Sequence, residues 1–226
     1  MATANPRWSY SSIKMYDQCP KKYFHIRIAK DVKDEQNVEH LIYGKEFHKA
    51  AEDYVSGAAP LPERFRYAKS TLDNLKARPG RVLCEYEMGL TAKLEPCTFD
   101  APDCWWRGVA DLIIIEDDGT ARVLDYKTGA SAKYADKGQL ELMALAVFKH
   151  FPEVKRVKAA LLFVVAKAFI KENYHRDDEA KLWSKWLAEY AKMRRSYELG
   201  VWNPRTSGLC KKHCVVLSCL HNGRNG

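Results

Sequence analysis

Gly108-Val-Ala-Asp111-Leu-Ile-Ile-Ile115-Glu-Asp-Asp-Gly119-Thr-Ala-Arg-Val-Leu-Asp125-Tyr-Lys127-Thr-Gly129 is the stretch from which the fold is read. Two apolar runs flank Asp117-Asp118-Gly119, and Asp-Gly between such runs is a hairpin signal. Trp105 to Glu116 and Thr120 to Lys127 are therefore expected as neighbouring antiparallel strands. Antiparallel pairing sets the start of the first beside the end of the second, so Asp111 comes next to Asp125 and Lys127. Side chains alternate along a strand, so Asp125 and Lys127 share one face while Tyr126 points to the other.

Working outward, the segment after Arg78-Pro79-Gly80 has period two, with Val82, Cys84, Tyr86 and Met88 alternating with Leu83, Glu85, Glu87 and Gly89, as in a strand. Downstream, Lys133 to Phe151 carries a helical stripe of Leu140, Met143, Ala144, Val147 and Phe148. Val157 to Ala166 is uniformly apolar, as a strand covered on both faces would be, and Phe169 to Tyr174 suits one more strand. Asp177 to Leu199 reads as an amphipathic helix in which Trp183 and Trp186 face the core. Upstream the chain reads as helical. Ser9, Ser11 and Ser12 offer N-caps for Trp8 to Gln18, and Pro20 opens a helix bearing Tyr23, Phe24 and Ile28. Val38 to Val55 repeats apolar positions at Leu41, Ile42, Ala50, Ala51 and Val55 before Gly57, and a further helix is expected over Pro62 to Ala77.

This order predicts a single α/β domain over residues 1–226, with a mixed central sheet and flanking helices. Residues 1–80 form a helical N-terminal part, 81–175 the sheet core, 176–199 a helix, and 200–226 a cysteine-rich tail packing on the N-terminal part. The 226 residues are 46% hydrophobic and 29% charged, which excludes a collagen, a rod or a wholly disordered chain. The longest apolar run, Ala159 to Ala166, is far short of the ~20 residues a bilayer span needs. The polar start Met1-Ala-Thr-Ala-Asn lacks a signal-peptide core, so the expected location is the cytoplasm of a bacterial or phage-infected cell, with no membrane partner. A net charge of +8 and a pI near 9.0 favour an anionic partner, nucleic acid being the commonest, although such a charge also keeps an ordinary protein soluble.

Carboxylates of Asp111 and Asp125 facing one another beside a lysine suggest a Mg2+ or Mn2+ site. Cleaving a phosphodiester calls for such a set: a cation held by carboxylates activates water and neutralises charge on the phosphate, and an ammonium positions the nucleophile. Lys127 is the catalytic candidate. Asp-x-Lys alone is too short to be specific, since a surface ion pair gives the same pattern.

With their context these residues resemble the PD-(D/E)xK nuclease superfamily, and within it the RecB-like exonuclease branch, which includes CRISPR-adaptation nucleases carrying an iron-sulfur cluster. Gly44-Lys-Glu-Phe-His48 resembles the branch's Gly-x-x-x-His, Gly108 to Asp111 its Gly-x-x-Asp, and Asp125 to Lys127 its Asp-x-Lys. The Gln-x-x-x-Tyr helix is matched at Gln139, with Met143 where tyrosine is usual. The resemblance implies a restriction-endonuclease-like core, metal ligation by His48, Asp111, Asp125 and the carbonyl of Tyr126, and a Gln139 that orients Asp125 and Lys127. Glu85 or Glu87 could add an outer acidic group, and neither is assigned a role.

Cys210, Cys214 and Cys219 fall within ten residues of the tail, and Cys19 precedes Pro20 near the other end. Four thiolates suit zinc or an iron-sulfur cluster. The branch places one cysteine before its core and three after, which implies a 4Fe-4S cluster on Cys19, Cys210, Cys214 and Cys219. The alternatives are Zn2+, with His213 in place of a cysteine, and a basic tail without metal. Cys84, Cys97 and Cys104 read as core or loop thiols. Lys21, Lys22, Arg27, Lys211 and Lys212 would form a phosphate-binding patch beside the cysteines, and Trp8, Tyr10, Trp105 and Trp106 are candidates for stacking on unpaired bases or for the core. The expected function is that of a metal-dependent DNA exonuclease acting on single strands or single-stranded ends in recombination, DNA processing or CRISPR adaptation. No Gly-x-x-x-x-Gly-Lys-Ser/Thr helicase motif occurs, which suggests a stand-alone nuclease of phage or mobile-element type. The alternative is a non-catalytic DNA-binding or assembly subunit retaining the fold.

Overall fold

The computed structural model describes residues 5–34, 38–129, 131–133 and 135–224. The chain divides into two compact units, Glu39–Trp183 and Met1–Val38 with Ser184–Gly226.

The larger unit is built on a six-stranded sheet of order β2-β1-β3-β4-β5-β6. Its strands are β1 (Arg81–Thr91), β2 (Pro96–Cys97), β3 (Cys104–Ile115), β4 (Thr120–Lys127), β5 (Arg156–Phe163) and β6 (Ala168–His175). Every neighbouring pair is antiparallel except β4 and β5, whose parallel pairing requires the crossover helix α5 (Gly138–His150 in chain order). The β3–β4 hairpin closes as its Asp-Gly signal predicts. Gly119 takes a φ of 76°, its N–H reaches the Glu116 carbonyl at 3.1 Å, and Asp118 Oδ1 accepts from the Thr120 N–H at 2.8 Å.

Alternation assigns the sheet's two faces. Leu112, Ile114, Leu124, Tyr126, Leu162 and Val164 pack against Phe47, Ala51 and Val55 of α3 (Val38–Ser56) and against Phe65, Leu72 and Leu75. The helix expected over Pro62 to Ala77 divides into a 3-10 segment, Glu63–Ala68, and α4 (Lys69–Lys76). The opposite face meets α5, whose Leu140 and residues 142–148 are buried. The reading of Lys133 to Phe151 as helix begins too early, and its Tyr134, like Ala130, lies outside the described residues. Leu41 and Ile42, read as core positions of α3, are 45% and 51% exposed, because the face of α3 packed on the core is carried instead by Tyr43, Phe47, Ala51 and Val55.

The smaller unit contains α1 (Tyr10–Gln18), α2 (Pro20–Tyr23), a π-helical turn (Phe24–Ala29), most of α6 (Glu179–Leu199) and the tail with α7 (Leu209–Lys212). Ser9 caps α1 in a box with Ser12, whose hydroxyl accepts the Ser9 N–H at 2.8 Å. Tyr16 donates to the Lys192 carbonyl at 2.9 Å, and the Trp8 and Tyr190 rings lie 5.6 Å apart. The tail, read as irregular, is ordered by Asn222, which is 5% exposed and donates to the carbonyls of Cys214 and Val216. No helix among the described residues is long and apolar enough to cross a membrane.

Candidate functional site

The β3–β4 ladder runs from Ile115↔Ala121 to Leu112↔Leu124 and then stops. One residue further on, the side chain of Asp111 takes over, its Oδ2 accepting the Tyr126 N–H at 2.5 Å. Tyr126 itself points into the core, its ring 5.8 Å from Phe47, which fixes the peptide that Asp111 holds. From α3, His48 completes the arrangement: Nε2 lies 3.1 Å from the Tyr126 carbonyl oxygen and Nδ1 lies 3.3 Å from Asp111 Oδ1.

On the same face of β4, Lys127 Nζ lies 2.6 Å from Asp125 Oδ2, close but not aligned as a hydrogen bond. Gln139, in the first turn of α5, engages both. It accepts from Lys127 Nζ at 3.0 Å through Oε1 and donates to Asp125 Oδ1 through Nε2. A cleft of about 670 Å³ opens between α3 and the end of β4, lined by Lys45, His48, Glu52, Glu85, Lys127 and Thr128 among others. The sequence-identified His48, Asp111, Asp125, Tyr126, Lys127 and Gln139 thus stand around one place in the larger unit.

Glu85, left without a role by the sequence, stands there too. In β1, Cys84 pairs with Leu112 and Tyr86 with Ala110, leaving Glu85 opposite Asp111 outside the ladder with a φ of 45°. That left-handed conformation is strained for any residue but glycine. It places Glu85 Oε1 3.8 Å from His48 Nδ1, buried and without a hydrogen-bond partner. Among the described residues, His48, Glu85 and Asp111 are the group of metal-type ligands whose atoms all come within 4.8 Å of one another. Adjacent ligands of an octahedral ion at ~2.1 Å stand ~3 Å apart, so small shifts would close this group on one cation. Nothing in the period-two pattern marks Glu85 apart from Glu87. The break in the ladder that distinguishes them is a property of the pairing with β3.

The electrostatics fit a cation site. Burial and the Asp111 charge push the Asp125 carboxyl up to about 6, against the opposing pull of Lys127. Burial and Asp111 likewise push Glu85 up to about 7, with His48 opposing. Burial alone would lower His48, but its hydrogen bond to Asp111 and the charges of Asp111, Asp125 and Glu85 raise it overall. Acids driven toward neutrality by burial beside another carboxylate are what a divalent ion relieves.

In the smaller unit, Cys19, Cys210, Cys214 and Cys219 line one small cavity with Lys21, Lys22, Arg205 and His221. Cys19 Sγ accepts from the Lys22 and Arg205 N–H groups at 3.5 and 3.4 Å, and Cys210 Sγ from the Ser207 N–H at 3.4 Å. No three of these sulfurs come within 4.8 Å of one another, whereas a tetrahedral zinc at ~2.3 Å needs them ~3.8 Å apart. His213 is exposed and is not among the residues lining the cavity. Trp8, Trp105 and Trp106 are at most 5% exposed and are not available to stack on bases, because each fills the core. Tyr10 is half-buried, its ring 6.1 Å from Trp186.

The chain is similar to SSO0001 at 15% identity, covering 96% of this chain and 86% of that one with a TM-score of 0.41. It is similar to a Eubacterium rectale protein named as a candidate exonuclease at 13% identity, covering 90% and 85% with a TM-score of 0.53. No curated protein matches it. Residues 7–219 match the PD-(D/E)XK nuclease superfamily, a span holding the hairpin acids, the helical histidine and the four cysteines. The chain belongs to the PD-(D/E)XK nuclease superfamily.

Proposed function

We propose that the chain is a deoxyribonuclease of exonuclease type, dependent on Mg2+ or Mn2+. The observation that carries this reading is the convergence of His48, Glu85 and Asp111 on the edge where Gln139 holds Asp125 and Lys127. His48, Asp111, Asp125 and the Tyr126 carbonyl would hold the cation, with Glu85 as a further ligand. When bound, that ion supplies a Lewis acid for the phosphate and an acidified water. Asp111 keeps the Tyr126 peptide aimed at the site. Lys127, braced by Gln139 beside the cleft, presents its ammonium to the attacking oxygen and to charge developing on the phosphoryl group. Met143 is a core residue, 5% exposed against Gly108, so its replacement of tyrosine removes no ligand and does not favour a non-catalytic subunit.

The exonuclease assignment and the DNA substrate, single-stranded or with single-stranded ends, rest on the motif resemblance and the name of the E. rectale protein. So do recombination, DNA processing or CRISPR adaptation as its setting. Cys19, Cys210, Cys214 and Cys219 would hold a 4Fe-4S cluster joining the N- and C-terminal segments of the smaller unit. Their common cavity and N–H···S bonds support thiolate ligation, and the choice of the cluster over zinc rests on the motif resemblance.

End-labelled single- and double-stranded DNA, incubated with Mg2+ or Mn2+ and the anaerobically purified protein, tests the reading. Cleavage by the wild type that is lost in Asp125→Ala and Lys127→Ala is expected, and equal cleavage by all of them would refute the site. The cluster predicts brown protein with absorbance near ~400 nm. A colourless zinc protein would refute it.

A further inference from the structure

The surplus of positive charge is not spread over the molecule. Met1–Val38 and Ser184–Gly226 together hold 15 basic and 6 acidic residues, a balance of +9, whereas Glu39–Trp183 holds 22 and 23, a balance of −1. The whole net charge of the protein therefore resides in the smaller unit, and it arises there mainly from a scarcity of acids. The acids of the unit among the described residues are already engaged. Asp17 pairs with Arg205, Asp31 with His25, Asp34 with Lys22, Glu189 with Lys192, and Glu198 with Arg194 and Arg195. Lys21, Arg27, Lys30, Lys33, Lys211 and Lys212 have no carboxylate partner among the described residues, and all but the half-buried Lys21 are exposed. Lys21 lines the cysteine cavity, and Lys211 and Lys212 directly follow Cys210, which also lines it.

We propose that the smaller unit is the part of the protein that grips nucleic acid, its cations around the cysteine cavity (Lys21, Lys211, Lys212) and on the adjoining segment (Arg27, Lys30, Lys33) holding the phosphate backbone without reading bases. This deepens the nuclease reading and rests on it. It separates two tasks: the larger unit cuts, with almost no net charge of its own to attract a polyanion, and the smaller unit supplies the attraction. Solubility requires net charge but not its confinement to one unit. Uncompensated cations around one cavity are instead what counterion release from a phosphate backbone exploits.

The test is the salt dependence of binding, measured by fluorescence anisotropy of a labelled single-stranded oligonucleotide with the anaerobically purified protein and no added divalent ion. The triple substitution Lys21→Gln, Lys211→Gln, Lys212→Gln is compared with Lys93→Gln, Lys158→Gln, Lys171→Gln, which removes the same charge from exposed positions of the larger unit away from the cleft. Each phosphate contact on a single strand contributes ~0.7 to the slope of log K against log salt, so losing all three lowers the slope by ~2 and weakens binding about 100-fold at 0.1 M salt. The control set is expected to leave the slope within ~0.3 of the wild type. Equal losses in the two sets, or a loss confined to the control, overturn the proposal. If the first set disturbs the cysteine region, seen as lost iron or a lowered unfolding temperature, Arg27→Gln, Lys30→Gln, Lys33→Gln decides by the same criterion. A wild type that binds and cuts no DNA would instead overturn the nuclease reading itself.

Discussion

Freed of divalent ions, the protein is expected to become less stable as pH rises from 5 to 8, the reverse of the trend that salt-bridged carboxylates produce. Asp125 is pushed from 3.8 up to about 6 and Glu85 from 4.5 up to about 7. An acid with a raised pKa binds more protons folded than unfolded, so its stabilising contribution is present below the unfolded value and lost as pH climbs through the folded one. His48, raised above 6.5, acts in the same sense. For buried Asp125 the full effect is on the order of 3 kcal/mol, about half of which remains at pH 5 and none at pH 8. The Glu85 side chain is 35% exposed, so screening reduces its share to ~1 kcal/mol over the same window. A net loss of ~2 kcal/mol between pH 5 and 8 is expected, a fall of roughly 4–8 °C in unfolding temperature for a chain of this size.

A cation that binds these groups must displace their protons, so its stabilisation grows with pH. At about 100 times its dissociation constant it adds ~2.7 kcal/mol. Thermal unfolding of chelating-resin-treated protein, with and without Mn2+ at pH 5 and 8, measures both effects, and Asp125→Asn should flatten the metal-free profile. A metal-free unfolding temperature that rises from pH 5 to 8, or an equal shift by Mn2+ at both ends, would refute the picture of Asp125 and Glu85 held near neutrality where an ion would bind.

Gln139→Ala releases both Asp125 and Lys127 and is expected to lower kcat 10- to 100-fold with little change in KM, since it positions rather than binds; steady-state cleavage of a labelled oligonucleotide reads the split. Gly108→Ala would set a Cβ 2.5 Å from Trp106 Cη2 and 3.0 Å from Met143 Cε; because Trp106 is fully buried, a cost of ~1–3 kcal/mol is expected in the urea midpoint. Ser9→Ala removes the cap of α1 and should cost ~1 kcal/mol by the same measurement.

Local chemistry made much of this legible in advance. The Asp-Gly turn specifies the β3–β4 hairpin by itself, and the hairpin brings Asp111 to the end of β4 whatever the rest of the chain does. His48 and Gln139 were identifiable only through the spacing of a known family, because a lone helical histidine or glutamine carries no signature of what it faces. Leu41 and Ile42 misled, since a helix that projects past the sheet keeps its apolar period without a core to bury it. Trp8, Trp105 and Trp106 offered the same composition to a stacking platform as to a core, and only packing could choose. Glu85 was illegible for a stricter reason. Its φ of 45° falls where the β1–β3 ladder is interrupted opposite Asp111, a relation between two distant segments that no window of sequence contains.

That strain bears on how the site is sustained. A left-handed non-glycine residue costs on the order of 1–3 kcal/mol and persists only where its surroundings over-determine it. Here they do: Tyr86 through Leu90 pair with β3 on one side of Glu85 and Arg81 through Cys84 on the other, in one unbroken register, so the backbone around it is held at both ends. The same rigidity keeps Asp111 and Glu85 together although their charges repel, and Phe47, Leu112 and Tyr126 pack beneath them to hold the edge in place. A surface hairpin with an ordinary cross-strand ion pair would need none of this. Strain in β1, like charges in contact and a buried carboxylate oxygen without a partner are each unfavourable to the metal-free protein. One divalent ion at the same spot would offset the repulsion and give that oxygen a partner, and the strain would be the cost of presenting it.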